Sequence, residues 1–263
     1  MWHDVRMLNA TTNALLGLLA LSLLASGVWW LTQRPIFTLK VITIQGMQQG
    51  AELQELRHVS ASTVRNTAVP HIKGNFFTTD LNAVRQAFEA VPWVRKASVR
   101  REWPNRLIVS LEEHEPLGTW GDDGRLLSAK GDVFTANLAE AEEDGELVEF
   151  RGPEGSEKEV VVRYRELQQW FAPVKLEPES LQLSGRYAWT VKLNNGMTVE
   201  LGREQSSTTL KDRVDRLVGI YPELVARLQD RIESVDMRYP NGLALKAHGL
   251  VFGLDKKGLP RGN

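Results

Sequence analysis

The sequence contains no cysteine, and this absence excludes several classes of site. A disulfide framework, a cysteine-ligated zinc site, a thiol nucleophile and a lipid-modified N-terminal cysteine are all ruled out for these 263 residues. The chain also lacks an excess of charge of either sign, because 32 basic residues balance 33 acidic ones to a net charge of −1. A main partner of nucleic acid would require a basic excess to neutralise phosphates, so we expect no nucleic-acid binding.

Catalytic and nucleotide-binding motifs are missing as well. The sequence has no G-x-S-x-G, no H-E-x-x-H, no P-loop and no G-x-G-x-x-G. The five histidines fall in different segments, and the acidic residues beside His114 alternate between the two faces of an expected strand. We therefore predict a non-enzymatic protein with no cofactor, no metal and no small-molecule substrate. A membrane-anchored exported enzyme of unrecognised type is the alternative, and a perturbed carboxylate pair in a cleft would indicate it.

One long segment lacks charge entirely. Met7 to Gln33 are 27 consecutive uncharged residues, and Ala14 to Leu31 are almost wholly apolar. Eighteen helical residues span ~27 Å, close to the ~30 Å hydrocarbon thickness of a bilayer. Trp29 and Trp30 stand at the end of the run, where indole rings favour the membrane interface. We predict one membrane span; a cleaved secretory signal with Leu15–Leu24 as its apolar region is the alternative.

The residues after this segment predict a small mixed domain. Apolar alternation, helix caps at Ser60 or Ser62 and at Asp80, and prolines indicate five elements in the order strand, helix, helix, strand, strand, at residues 37–44, 60–68, 80–91, 96–103 and 106–113. Basic residues concentrate on the hairpin formed by the last two strands: Arg95, Lys96, Arg100, Arg101 and Arg106. They either protect an edge strand from unwanted pairing or bind an acidic partner or lipid headgroups, and both interpretations stay open.

A second, β-rich region begins near residues 112–116. Its patterns predict a helix over 160–171, a hairpin over 187–201 with a turn at Asn194-Asn195-Gly196, a helix over 206–229 that Pro222 kinks or divides, and a strand pair at 232–239 and 243–247. The run 140–149 holds six acidic residues and is expected to be a solvated loop. We expect the core to include the tryptophans at 93, 103, 120, 170 and 189. The predicted fold class is α+β.

Three short sequence motifs resemble those of a known family. They are Pro92-Trp93-Val94, Val99-Arg100-Arg101-Glu102-Trp103-Pro104 and Glu113-His114-Glu115-Pro116. This region resembles the membrane-proximal POTRA domain of the FtsQ/DivIB family of bacterial cell-division proteins. Further on, residues 152–156, the 193–201 hairpin and Val235-Asp236-Met237-Arg238-Tyr239 are similar to the β-rich second domain of that family. The resemblance extends over residues 14–248.

The resemblance implies a domain organisation and an orientation. It implies a cytoplasmic N-terminus at 1–13, a transmembrane helix at 14–34, a POTRA domain at 35–114, a partner-binding β domain at 115–248 and a flexible tail at 249–263. The bulk of the chain would lie in the periplasm, anchored in the inner membrane at the division septum. The implied partners are small bitopic coiled-coil division proteins of the FtsB and FtsL type and other membrane proteins of the divisome.

The resemblance also implies how these partners bind. A partner strand would add to the last strand of the β domain, and main-chain hydrogen bonds would supply much of the affinity. The implied contact residues in this domain are Arg186, Arg238, Tyr239, Asn241, Gly242, Leu243 and Leu245. In the POTRA domain they are Lys96, Val99 and Arg101. Some relatives carry an anchoring tryptophan where this chain has Ala247, and Pro240 removes one backbone donor.

One further class of POTRA-bearing protein serves as an alternative. Assembly factors of the outer membrane also carry POTRA domains, but they add a barrel of many alternating strands. A chain of 263 residues leaves little room for such a barrel beside the segments already assigned.

Overall fold

The computed structural model describes residues 2–49, 52–53, 55–228, 232–240 and 242–247. It confirms the α+β class, with an N-terminal apolar helix, a small mixed region and a β-rich region with helices. The chain divides into two compact units, Met1–Glu113 and His114–Asn263. Each unit has its own hydrophobic core.

The first helix, α1, spans Trp2–Thr32. Its stretch Met7–Thr32 is the one helical segment among the described residues that is long and apolar enough to cross a membrane. Large apolar side chains such as Leu21 and Leu24 are 70% exposed, because no protein surface covers this helix. A helix that is apolar all round is suited to lipid rather than to the surface of a soluble domain.

Seven short elements follow in the first unit: β1 (Val41–Gly46), β2 (Gln48–Gln49), β3 (Glu52–Leu53), α2 (Ala61–Thr67), α3 (Leu81–Glu89), β4 (Val94–Glu102) and β5 (Arg106–Glu113). The two predicted caps are confirmed. The Ser60 hydroxyl accepts from the Thr63 N–H, and the Asp80 carboxylate accepts from the N–H groups of Asn82 and Ala83.

The first unit packs its two helices on a three-stranded sheet of order β1-β5-β4. β5 is central, parallel to β1 and antiparallel to β4. One face of the sheet and the helices supply the core, which includes Val64, Val84, Phe88, Leu107, Val109 and Leu111. β4, which carries most of the basic residues of the hairpin, is thus an edge strand.

Glu113 ends β5 as a buried carboxylate with a structural task. It is 8% exposed, and its two oxygens accept hydrogen bonds from the N–H groups of Arg57, His58 and Val59. Hydrogen bonds to a charged acceptor are the stronger kind, so this side chain holds the loop before α2 against the sheet.

The expectation of five core tryptophans is wrong for one of them. Trp93, Trp120 and Trp189 are buried, and Trp170 packs against the core of the second unit. Trp103 is 65% exposed, because β4 has ended at Glu102 and the indole lies beyond the edge of the core.

The second unit contains nine strands and three helices among the described residues: β6 (Pro116–Trp120), β7 (Arg125–Ser128), β8 (Val133–Phe134), α4 (Leu138–Glu142), β9 (Val148–Arg151), α5 (Glu157–Phe171), β10 (Pro178–Leu183), β11 (Ala188–Leu193), β12 (Thr198–Arg203), α6 (Thr209–Leu228), β13 (Ile232–Asp236) and β14 (Ala244–Ala247). The strands form one sheet of order β14-β13-β12-β11-β10-β9-β6-β7-β8. β9 pairs in parallel with both β6 and β10, and β12 pairs in parallel with β13.

Two expectations for this unit are corrected. The acidic run is not a simple loop, because its first residues belong to α4 and its last two to β9, where Val148 is buried beside the exposed Glu149. Pro222 does not divide the long helix: α6 is continuous, and Leu210, Val214 and Leu217 bury one stripe of it against the sheet. Packing of that stripe offsets the hydrogen bond that the proline cannot make.

Candidate functional site

The sheet of the second unit ends at β14, which among the described strands pairs only with β13. The pairing is antiparallel and joins Val235 with Leu245 and Asp236 with Ala244. Leu243 and Leu245 pack against the core, while Ala244 and Lys246 are exposed on the other face. An edge strand presents alternate backbone N–H and C=O groups outward, which makes it a template for a further strand.

Arg238 lies directly beyond β13 and is held by two carboxylates. Its backbone N–H and Nε donate to Asp236 Oδ1 at 3.0 and 2.9 Å, and Nη2 donates to Asp236 Oδ2 at 2.6 Å. Nη2 also lies 2.9 Å from Glu200 Oε2 on β12. The hydrogen bonds from Arg238 hold the pKa of Asp236 below its ordinary value, and the two carboxylates raise the pKa of Arg238.

This pairing also explains where β13 ends. The sequence predicts a strand to Tyr239, whereas the structure ends it at Asp236 because the Asp236 side chain takes the N–H of Arg238. The Arg238 side chain then runs across Gly202, whose φ is +74°. A Cβ on that glycine would approach the Arg238 Cγ to 2.7 Å, so the close passage requires a glycine.

Two arginines of α6 hold neighbouring backbone. Arg213 Nη1 donates to the carbonyls of Leu201 and Arg203 at 2.5 and 3.0 Å, and Arg216 Nη1 donates to the Pro240 carbonyl. Burial and the charge of Arg216 lower the pKa of Arg213. The helix thereby fixes both the end of β12 and the connection that leads into β14.

A groove of about 370 Å³ lies beside these residues. Four of the side chains that line it are arginines: Arg186, Arg203, Arg213 and Arg238. Tyr187 and Tyr239 are 60% and 54% exposed on the segments that carry Arg186 and Arg238. The arrangement offers a basic surface with two exposed phenol rings, which suits an acidic segment of a partner protein.

The structure places the sequence-derived contact residues of this domain as follows. Arg186 and Arg238 line one groove, Tyr239 lies in the connection that follows β13, and Gly242, Leu243 and Leu245 lie beside or within β14. Asn241 lies outside the described residues, as does the predicted tail. The sequence missed the residues that position Arg238, namely Asp236 and Glu200; Asp236 stands two residues away in the same motif, which is the one signal that could have shown it.

The three POTRA residues occupy the edge strand β4. Lys96 is exposed, Val99 packs partly against the core, and Arg101 is already engaged within its own unit. Arg101 Nε and Nη2 donate to the carbonyls of Phe76 and Thr79, each at 2.6 Å. This arginine therefore positions the loop before α3, a task that its sequence context does not reveal.

Comparison with protein families gives two matches along the chain. Residues 118–238 match the family described as "Cell division protein FtsQ/DivIB, C-terminal", and residues 52–114 match "POTRA domain, FtsQ-type". The first match ends at Arg238, so the edge strand β14 lies beyond it.

Curated relatives cover nearly the full chain. It is 54% identical over 252 residues to a protein named Cell division protein FtsQ from Burkholderia pseudomallei, with 96% of each chain covered. Proteins of the same name from Bordetella pertussis and Nitrosospira multiformis are 42% and 38% identical, over 93% and 94% of this chain and 92% and 99% of theirs.

Proposed function

Because the chain belongs to the FtsQ/DivIB family of bacterial cell-division proteins, we propose that it is a non-enzymatic membrane anchor that holds small partner proteins by β-strand addition. The partners are small bitopic coiled-coil division proteins of the FtsB and FtsL type, together with other membrane proteins of the divisome. One segment of such a partner pairs with β14, and the complex links early and late steps of septum assembly.

The outer edge of β14 is the observation that carries this proposal. Among the described residues the strand is one edge of the nine-stranded sheet, and the other edge is the two-residue strand β8. Leu243 and Leu245 fix its inner face by packing on the core, so its backbone is presented in a defined register. A partner strand gains main-chain hydrogen bonds there without unfolding either protein.

The arginine groove supplies specificity to this edge. Arg238 is held by Asp236 and Glu200, so its guanidinium is fixed in place and chiefly orients the connection to β14. No ion pair of the described residues involves the exposed Arg186, so its guanidinium is open to a carboxylate of a partner. Charges of this kind steer encounter and fix register more than they add affinity.

The placement in the cell follows from the apolar helix and the family. We assign residues 1–13 to the cytoplasm, 14–34 to the inner membrane, 35–114 to a periplasmic POTRA domain, 115–248 to the partner-binding β domain and 249–263 to a tail. The assignment rests on the length and composition of α1 and on the family membership. The edge strand β4, with Lys96 and Val99, is a second docking strand for another divisome protein.

A titration with backbone-modified peptides tests strand addition directly. The full chain in lipid nanodiscs is titrated with peptides from the segments that follow the membrane span in the coiled-coil division proteins of the same organism. Two further peptides carry N-methyl groups on alternate backbone amides: one at its odd-numbered residues and the other at its even-numbered residues. In a β-ladder, alternate amides of a strand face its neighbour, so one methylated set should abolish binding and the other should retain it. Equal binding by both sets would overturn strand addition.

A charge reversal tests the groove. Arg186→Glu should lower the affinity for the same peptide by about tenfold, because it replaces an attraction by a repulsion at a partly exposed site. Arg125→Glu is the matched control, since this arginine lies on β7 near the opposite end of the same sheet. Equal affinities for the two variants would move the site away from the groove.

A further inference from the structure

Four aromatic side chains form an exposed cluster at one end of the first unit. We call Phe37, Phe76, Phe77 and Trp103 the aromatic end. Phe37 lies 4.9 Å from Phe77 and 5.5 Å from Trp103, and Phe76 lies 5.3 Å from Phe77 and 5.6 Å from Trp103, measured between ring centroids. Trp103 is nevertheless 65% exposed and Phe77 46% exposed. Exposure of such large apolar rings to water is unfavourable in free energy, so we expect another molecule to cover the cluster.

The aromatic end is held against the end of the apolar helix. Asn75 Nδ2 donates to the carbonyl of Thr32, the last residue of α1, at 2.9 Å. The Phe76 N–H donates to the Phe37 carbonyl at 2.9 Å, which ties the loop to the segment that leaves α1. The cluster is therefore continuous with the place where α1 ends.

The rings are kept in this exposed position by specific contacts. Asn75 Oδ1 accepts from the N–H groups of Phe77 and Thr78 at 3.0 and 3.1 Å, and Arg101 binds the carbonyl of Phe76 from β4. A loop held from both sides presents its rings in a fixed arrangement. The exposure is thus built into the fold of the first unit.

Basic side chains surround the same end. The Arg34 guanidinium lies 3.3 Å from the ring centroid of Trp30, at the end of α1. Lys40, Lys73 and Arg106 are exposed on the segments next to the cluster, and the Lys40 N–H donates to Asn105 in the turn after Trp103. Positive charge beside exposed aromatic rings matches the phosphate-rich boundary of a bilayer.

We propose that the aromatic end is a lipid-docking surface, and that it lies in the headgroup region of the membrane that α1 crosses. This rests on the membrane anchoring set out under the proposed function. Phe77 and Trp103 insert at the boundary between headgroups and acyl chains, and the surrounding lysines and arginines bind lipid phosphates. The POTRA domain is thereby held at the bilayer by its aromatic end instead of swinging on a linker.

The dimensions of a bilayer agree with this assignment. The headgroup region adds roughly 5–8 Å on each side of the hydrocarbon core. Trp29 and Trp30 mark the interface on α1, and Phe37 follows Thr32 by five positions and ends a compact 3₁₀ turn (Pro35–Phe37). The hydrogen bond from Asn75 to Thr32 brings Phe76 and Phe77 to the same level.

The absence of cysteine allows a clean depth measurement. The full chain with Phe77→Cys carries one thiol, which is labelled with an environment-sensitive fluorophore in nanodiscs that contain lipids spin-labelled near the headgroup. Lys96→Cys is the matched control, because it lies on the same hairpin as Trp103 but about 20 Å further along β4. We expect several-fold stronger quenching at position 77 than at position 96. Equal or absent quenching at position 77 would overturn the proposal and would leave the cluster to a protein partner.

A second variant separates lipid docking from partner binding. The label is placed by Arg100→Cys on β4, and the aromatic end is altered by Phe77→Ser together with Trp103→Ser. Both rings are partly exposed, so the domain should stay folded. The affinity for the partner peptide that pairs with β14 should be unchanged. Quenching at position 100 should fall because the domain lifts from the bilayer. Unchanged quenching in this variant would contradict the proposal. A chain with both rings intact that is quenched at position 77 but does not bind the partner peptide would count against the proposed function alone.

Anionic lipid gives a third readout. Nanodiscs with phosphatidylglycerol should increase quenching at position 77 relative to pure phosphatidylcholine, and added salt should reduce this increase because it screens the basic side chains. Quenching that is independent of both lipid charge and salt would remove the lysines and arginines from the proposal.

Discussion

Asp236 and Arg238 stand two residues apart at the end of β13. Three hydrogen bonds between them fix the backbone where the strand ends. Charged side chains hold backbone elsewhere in the molecule too: Glu113 holds the loop before α2, and Arg101 holds the loop before α3. In each case the charge is used within the domain rather than for a ligand.

The pairing of Asp236 predicts an acid-dependent loss of stability. Its pKa in the folded chain lies below the ordinary 3.8, chiefly because Arg238 donates to its carboxylate. The stabilisation is therefore complete above about pH 4 and is lost as the pH falls through the lowered folded value. On acidification, the free energy of unfolding of the second unit should accordingly decrease less steeply in Asp236→Asn than in the wild type. Denaturant titration at a series of pH values from 5 to 2 measures this. Parallel profiles for the two chains would contradict this.

Sequence reasoning proposes Arg186, Arg238 and Tyr239 as contact residues but does not show which groups each side chain contacts. Their positions came from a resemblance, whereas hydrogen-bond partners such as Glu200 and Pro240 are brought together by folding over long stretches of chain. Trp103 was expected in the core because apolar size usually predicts burial. Its exposure depends on where β4 ends, which a few residues of pattern do not determine.

Among the elements, β6 and β9 approach each other unusually closely. A Cβ on Gly118 would come within 1.9 Å of the Val148 carbonyl oxygen and 2.8 Å of Phe150 Cε2. The parallel pairing of these strands therefore requires a residue without a side chain at position 118.

Substitution of this glycine should destabilise the sheet from within. Gly118→Ala should lower the free energy of unfolding by about 3 kcal/mol or more, since the strands must separate to admit the methyl group. Gly219→Ala is the matched control: it lies inside α6 with no atom within 4 Å, and it should stabilise the chain by roughly 0.5–1 kcal/mol. Thermal unfolding of the two variants measures both effects, and a similar loss in both would refute the close approach.

At the level of elements, local signals predict the longer helices and the β11–β12 hairpin but not α4, which overlaps a run that the sequence predicts as a loop. Ser60 and Asp80 cap the helices that they were expected to begin, and the turn at Asn194 to Gly196 joins β11 to β12. The position of β9 between β6 and β10 could not be predicted, because parallel pairing joins residues about thirty apart with no turn to mark it.

On the scale of the whole molecule, α1 is the proposed membrane anchor, and its contact with the POTRA domain passes through the backbone of the helix. The acceptor for Asn75 is the main-chain carbonyl of Thr32, which any residue would provide. We therefore expect that replacing residues 7–28 by an unrelated apolar helix of equal length will preserve division in cells depleted of the native protein. Filamentous cells that still carry the exchanged chain in their membranes would show that α1 has a sequence-specific partner.

The nine-stranded sheet places β14, the last strand among the described residues, at its outer edge, and this has a consequence for quality control. Synthesis proceeds from the N-terminus, and β14 is the final described strand to emerge. A ribosome that stalls early, or a protease that removes the end of the chain, leaves a protein that can still enter the membrane but offers β13 as a different edge. Under the strand addition that we propose, copies that lack β14 would not be recruited into the septum.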